Sequence, residues 1–215
     1  LDIKKFKQLP VLGILRGIEA DALEPLIAAM ESSGLKTIEI TMNTKGAVSL
    51  IRKACALSKG RLTIGAGTVL DKTSLRSALD SGATFIVTPV LVKDCMRYCV
   101  KNKIPVFPGA LTPSEIRAAW ESGATMVKVF PSNFFGPEYF KEVKGPFQDA
   151  ELLACGGVTP ANLGRYFANG ASAVSFGASV FKKEWMAQKK FKAIEESIKK
   201  YVREFSVLQH KGIKT

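Results

Sequence analysis

Eight short runs rich in Val, Ile, Leu and Thr, each followed by a stretch with helical spacing, constrain this chain more than any other feature. The runs are VLGILRG (11–17), TIEITM (37–42), LTIGAGTV (62–69), FIVTPV (85–90), PVFPGAL (105–111), TMVKVFP (125–131), LLACGGV (152–158) and AVSFGAS (173–179). They recur about every 20 to 27 residues, and the stretches between them include DALEPLIAAMESSG, KGAVSLIRKACALSKG and TPSEIRAAWESG. Strands separated by helices pair in parallel, because the helix supplies the crossover. Eight such units are the count of a compact α/β fold, the (β/α)8 barrel. The alternative is an open doubly wound sheet, whose first strand-to-helix turn carries G-x-G-x-x-G, and GAGTVL does not match it. No linker or low-complexity segment interrupts the pattern, which predicts a single barrel domain over 1–205 and a C-terminal tail over 206–215.

The punctuation agrees. ESSGLKT, LDSGATF, ESGATMV and FANGASA each place a glycine just after a helical turn, as a C′ residue stands. Thr112-Pro113 and Thr159-Pro160 read as an N-cap followed by proline at the first helical position.

Composition narrows the function classes. Lys and Arg number 31 against 19 Asp and Glu, a net charge of +12, which suits an anionic partner. The basic residues are scattered and no RNP-like or zinc-finger pattern occurs, so nucleic acid is not the expected ligand. The densest region, Phe181 to Phe205, interleaves glutamates at helical spacing and reads as the solvated face of a C-terminal helix. The four cysteines, Cys55, Cys95, Cys99 and Cys155, form no metal pattern, although Cys95 and Cys99 can share one helix face. With one histidine, His210, near the chain end, histidine-cluster zinc sites and triads with a core histidine are excluded. No stretch suits a membrane span or a secretory leader, and the expected compartment is the cytoplasm.

Strand alternation then sorts the polar residues. In TIEITM, Ile38 and Ile40 share one face, with Thr37, Glu39 and Thr41 on the other. In TMVKVFP, Val127 and Val129 share a face, with Met126, Lys128 and Phe130 opposite. The β-branched pairs belong against the helices, which sends Glu39 and Lys128 into the barrel. Desolvation there is expected to lower the lysine's pKa and make it an amine nucleophile for a carbonyl substrate. The plainer reading is an ion pair that neutralises two buried charges. At the chain's end, CGGVTPAN and SFGAS put Gly156, Gly157, Gly177 and Ser179 in the loops after strands seven and eight, where this fold commonly binds phosphate beside a helix N-terminus.

The ordered phrases ILRGI, TIEITMNT, IGAGTVL, FIVTPV, FPGALTPSE, VKVFPSNFFGPEYFK, CGGVTPAN and SFGAS resemble the 2-keto-3-deoxy-6-phosphogluconate and 4-hydroxy-2-oxoglutarate aldolases. ILRGI and FPSNFFGP are similar to the phosphogalactonate branch. The resemblance implies a homotrimer and metal- and cofactor-free class I chemistry on a phosphorylated 2-keto-3-deoxy acid that yields pyruvate. It implies Lys128 as the imine-forming lysine, Glu39 as general acid/base, and Thr68, Pro89 and Phe130 as substrate contacts. It also implies Gly156, Gly157 and Ser179 as phosphate-binding positions. The chain departs from the pattern at Asn43, an expected substrate-binding position where relatives often carry a carboxylate-binding arginine, and at Cys155, often Thr or Val. Arg16, at the end of strand one, is the expected substitute for that arginine, or else a partner that pairs with Glu39. Rival expectations are another phosphate-binding barrel, or a non-catalytic basic scaffold.

Overall fold

The computed structural model describes residues 1–210 of the chain. In chain order the elements are α1 (Ile3–Gln8), β1 (Val11–Leu15), α2 (Leu23–Ser32), β2 (Thr37–Thr41), α3 (Ala47–Ser58), β3 (Thr63–Gly67), α4 (Lys72–Asp80), β4 (Ile86–Thr88) and α5 (Lys93–Lys101). They continue with β5 (Val106–Ala110), α6 (Pro113–Glu121), β6 (Val127–Val129), α7 (Glu138–Lys144), β7 (Leu152–Cys155), α8 (Leu163–Ala168), β8 (Ala173–Phe176), α9 (Lys183–Ala187) and α10 (Phe191–His210). All eight expected strands form. They pair in parallel in sequence order, and β1 closes on β8 through Val11↔Val174 to Gly13↔Phe176. That closure makes the (β/α)8 barrel and excludes the open sheet.

The alternation holds. Ile38, Ile40, Val127 and Val129 join the apolar layer between strands and helices. Inside the barrel, Leu12, Phe85, Val87, Phe107, Met126 and Leu153 form a second cluster with Phe6. Phe6 comes from α1, a single short helix whose Asp2 side chain accepts the Lys5 N–H. The Phe6 ring stacks on Phe107 at 6.1 Å and Phe107 meets Phe85 at 5.6 Å, which plugs the amino end of the barrel. Each buried ring contributes about 1.5–3 kcal/mol of transfer free energy. β3 makes room for this packing. A Cβ on Gly65 would stand 2.3 Å from the Phe85 ring, and one on Gly67 would stand 2.3 Å from Glu39 Oε1.

The four C′ glycines, Gly34, Gly82, Gly123 and Gly170, all have positive φ, as their place after a helix demands. Thr112 caps α6 in a capping box with Glu115, and Pro113 opens the helix. Thr159-Pro160 differs. The helix there starts at Leu163, and Asn162 Oδ1 accepts the Thr159 N–H, so the pair forms the turn before α8. Cys95 and Cys99 lie on one buried face of α5, and burial, aided by Cys95, pushes the Cys99 thiol up to about 12.

The basic C-terminal stretch is two helices rather than one. Lys189 takes φ 51, and its N–H and that of Lys190 turn back to Met186 and Trp185, which ends α9 before α10 begins. α10 buries Ile194, Ile198, Tyr201 and Phe205, and its far face carries Lys192 and Lys199 paired with Glu195 and Glu196, as a solvated face should. The helix continues through His210, so 206–210 are ordered where a tail was expected. Leu208 packs on the core, and Gln209 Nε2 donates to Gln8 O at 3.1 Å. Residues 211–215 of the expected tail lie outside the described residues. Among the described residues no helix is long and apolar enough to cross a membrane.

Candidate active site

The carboxyl ends of the strands open into a cavity of about 900 Å³. Lys128 lies in its wall, one inward position beyond the Met126 layer, and is 6% exposed. β6 is only three residues long, pinned by Gly109↔Lys128 on one side and Lys128↔Leu153 on the other. The amine has little freedom at its root. Its Nζ stands 3.9 Å from Glu39 Oε1 and 5.5 Å from the centre of the Phe130 ring. At 3.9 Å the two charges feel each other without a hydrogen bond. Glu39 is 1% exposed and lies behind the lysine rather than in the cavity wall. Its Oε2 has no hydrogen-bond partner among the described residues. A pair built only to neutralise charge would satisfy that oxygen.

Burial raises the Glu39 pKa, and Lys128 and then Arg16 offset only part of the rise. Lys128 departs from expectation. Burial alone lowers its pKa, but its interactions with Cys155 and Glu39 favour the ammonium more strongly, and the balance lies above the ordinary value. Both shifts favour the protonated form: the lysine holds its proton more tightly than usual, and burial has increased the basicity of the carboxylate beside it.

Arg16 and Thr68 line the same cavity, and Arg16 Nη2 donates to Thr68 Oγ1 at 3.3 Å. Among the described residues Arg16 has no carboxylate within 4.0 Å, so the expected alternative of a contact pair with Glu39 does not form; its influence on Glu39 acts through space. Thr68 holds φ 55, a left-handed conformation that a β-branched side chain rarely adopts. Such strain clusters at functional sites. Pro89 and Phe130 complete this side. Asn43 does not belong to it. The residue is exposed on the turn after β2 and does not line the cavity, because the chain leaves the barrel at Met42 to begin α3.

Opposite, the loops after β7 and β8 bring Gly156, Gly157, Gly177 and Ser179 to the wall. Gly156 and Gly157 have φ 102 and 72, and a Cβ on Gly157 would stand 2.4 Å from the Cβ of Asn133. Only glycine fits there. The N–H groups of Val180 and Phe181 both donate to Gly177 O, which folds the β8 loop into a tight turn. The helix that follows it, α9, is five residues long, and its first residue, Lys183, also lines the cavity.

Sequence reasoning missed the mouth. Asp21 and Lys189 both line it and form an ion pair at 3.3 Å. Nothing in strand periodicity marks these two, which lie outside the strands. Cys155 also lines the cavity, and the inward register of β7 after Leu153 was the signal that places it there.

Comparison with known proteins gives a consistent set of relatives. The family described as "Aldolase: KDPG and KHG aldolase" matches residues 3–197. The chain is 39% identical to a 2-dehydro-3-deoxy-phosphogluconate aldolase of Pseudomonas aeruginosa, over 74% of this chain and 71% of that one. It is 33% identical to the 2-dehydro-3-deoxy-6-phosphogalactonate aldolase of Escherichia coli, over 81% of this chain and 86% of that one. A solved structure described as native KDPGal superposes with a TM-score of 0.87 at 29% identity, covering 94% of this chain and 97% of that one.

Proposed function

The chain belongs to the KDPG and KHG aldolase family, and from that premise we propose that it is a class I aldolase that cleaves a 2-keto-3-deoxy-6-phospho sugar acid to pyruvate and D-glyceraldehyde 3-phosphate. One observation carries the reading: in the wall of a cavity edged by glycine loops, a buried amine stands 3.9 Å from a carboxylate whose second oxygen has no partner among the described residues.

The cycle follows from this arrangement. Glu39 takes the ammonium proton from Lys128, which its raised basicity favours. The free amine attacks the C2 ketone, and loss of water from the carbinolamine gives a protonated imine. C2 is then bonded to Nζ, so C3 and the C4 hydroxyl fall within reach of the neighbouring carboxylate. Glu39 delivers its proton to the departing hydroxide and, again a carboxylate, removes the C4 hydroxyl proton. The C3–C4 bond breaks, its electron pair flows into the imine, and the aldehyde phosphate leaves. The enamine is protonated at C3 by the same carboxylic acid. Hydrolysis of the second imine releases pyruvate and returns Lys128. Thr68, Pro89 and Phe130 hold the keto-acid end. Arg16 binds its carboxylate, a task that Asn43, outside the cavity, does not share. Gly156, Gly157, Gly177 and Ser179 hold the phosphate, and this remote anchor serves orientation at C2 to C4.

The working form is a homotrimer. Leu70, Val90, Phe134 and Phe135 are more than half exposed, on the loops after β3, β4 and β6 at the same end of the barrel, and so much apolar surface suits a partner. Four free thiols fit the reducing cytoplasm. Preference for the galactonate epimer is the second reading, favoured by the likeness to the Escherichia coli enzyme. Borohydride reduction with pyruvate tests the main reading: wild type gains a stable adduct at Lys128. Absence of the adduct rejects the Schiff-base mechanism. Cleavage rates on both epimers decide the preference.

A further inference from the structure

Three consecutive carbonyls leave β7 and each is held from outside the cavity by a different side chain. Ser132 Oγ donates to Gly156 O at 2.7 Å. Asn162 Nδ2 donates to Gly157 O at 3.0 Å. Tyr201 OH donates to Val158 O at 2.9 Å. The three donors come from the β6 loop, the start of α8 and the middle of α10, so parts of the chain far apart in sequence converge on one short segment.

A trans peptide points its N–H opposite to its C=O. Pinning the carbonyls of Gly156 and Gly157 outward therefore turns the N–H groups of Gly157 and Val158 toward the cavity that these residues line. Neither N–H has a protein acceptor among the described residues. The next peptide behaves differently. There the scaffold takes both ends, because Asn162 Oδ1 accepts the Thr159 N–H at 2.8 Å. Two adjacent N–H groups thus remain to form a concave anion site.

Tyr201 does more than hold one carbonyl. It is 2% exposed, and its ring packs on Phe176 of β8 at 4.6 Å. Its oxygen lies 3.5 Å from Ser179 Oγ. The phenol has one proton, committed to Val158 O, so in this contact Ser179 is the donor. One buried hydroxyl therefore joins the β7 loop to the β8 loop.

We propose that Ser132, Asn162 and Tyr201 are positioning residues for the phosphate site, with Tyr201 coupling its two loops. They touch no substrate. They fix the Gly157 and Val158 N–H groups, and the Ser179 hydroxyl, at the spacing a phosphate dianion needs. The inference rests on the phosphate end assigned under the proposed function and extends it to residues behind the wall.

The test is Tyr201→Phe, which keeps the ring against Phe176 and removes both polar contacts. Loss of one neutral hydrogen bond corresponds to about a 5-fold change. The KM of the phosphorylated keto acid should rise by about that factor with kcat nearly unchanged. The KM of unphosphorylated 4-hydroxy-2-oxoglutarate, and the rate of proton exchange at the pyruvate methyl, should stay at wild-type values. Inorganic phosphate titrated into wild type should shift the Gly157 and Val158 amide resonances, and Tyr201→Phe should weaken that binding by the same factor. Ser132→Ala, which leaves the Tyr201 contacts intact, should weaken phosphate in the same direction and serves if Tyr201→Phe melts too low to assay. Unchanged phosphate affinity in these variants overturns the proposal, as does an equal rise in KM for both keto acids. Failure of the aldolase reading would appear separately, as wild type that does not trap pyruvate while still binding phosphate.

Discussion

The two ends of the barrel interior are made by the same strands with the same inward alternation, yet they are built to opposite rules. At the amino end, Phe6, Phe85, Phe107 and Met126 fill the space with apolar contacts, and α1 closes it. One inward step along the chain, from Met126 just before β6 to Lys128 within it, the interior becomes polar. It holds an amine and a carboxylate 3.9 Å apart, and an oxygen with no partner among the described residues. The first end is the solution that packing favours. The second leaves electrostatic free energy unrelieved, as a site must if its groups are to react rather than satisfy one another. Stability is concentrated at one end of the barrel and chemistry at the other.

The sharpest way to break this division is Lys128→Ala. It should abolish aldol cleavage and borohydride trapping with pyruvate while the thermal unfolding transition stays cooperative, because the plug beneath is untouched. Normal trapping in this variant would remove Lys128 from the mechanism.

Phe107→Ala is the converse. Truncating a fully buried ring in contact with Phe6 and Phe85 should cost about 3–5 kcal/mol of unfolding free energy. The kcat per folded molecule should hold within about twofold, a factor small beside the catalytic effects expected here. A large loss of kcat at temperatures where the variant is folded would mean that the two ends are not separable.

Glu39→Gln bears on both sides of the comparison. Cleavage should slow by roughly 100-fold or more, the usual scale for losing a general acid/base, while the imine with pyruvate still forms. The stability effect has a defined pH sense. Burial raises the Glu39 pKa in the folded state, so the folded protein binds that proton more tightly than the unfolded chain. The resulting stabilisation is complete below the ordinary carboxylate value and is lost as pH rises through the raised folded value. Melting temperatures of wild type and Glu39→Gln should therefore draw apart in favour of the variant from pH 4 upward. A pH-independent difference would show that the carboxylate is not held out of its ordinary range.

Arg16→Ala is the smallest of these effects. Loss of a charged donor to the substrate carboxylate should raise KM by about tenfold, and equally for pyruvate and the full keto acid. An unchanged pyruvate KM with a displaced acidic limb of the pH–rate profile would instead assign Arg16 to tuning Glu39, through the field it already exerts there.

Much of this was legible in one dimension. The period-two pattern around Glu39 and Lys128 placed both side chains inside the barrel, because a strand offers only two faces and the β-branched pairs had to take the outer one. The strand count set the closed topology, and the glycines after the helices marked four boundaries correctly. The glycine pair after β7 and Gly177 after β8 reach the same cavity because all parallel strands of a barrel finish on one face. What failed to read were features set by contacts across the fold. Thr159-Pro160 carries the letters of a helix start, but the Thr159 N–H is taken by Asn162 Oδ1 in a turn and α8 begins only at Leu163. The lysine-rich C-terminal stretch has unbroken helical composition, but it breaks at Lys189, whose side chain pairs with Asp21 across the cavity mouth. Asn43, expected at the site, is exposed on the turn after β2, where the backbone has already left the cavity.

The sequence by itself determined which side chains face inward and in what strand order, since periodicity and chain connectivity are local properties that survive without coordinates. Only the tertiary structure decided how those side chains are poised. The sign of the Lys128 shift depends on whether burial or the interactions with Cys155 and Glu39 dominate, and that balance is set by distances between strands. The Glu39 carboxylate fits inside because Gly67 on the next strand leaves it room: a Cβ there would stand 2.3 Å from Oε1. The three donors behind Gly156, Gly157 and Val158 come from segments that meet only when the barrel closes, and hydrogen bonds between distant segments leave no period in a sequence.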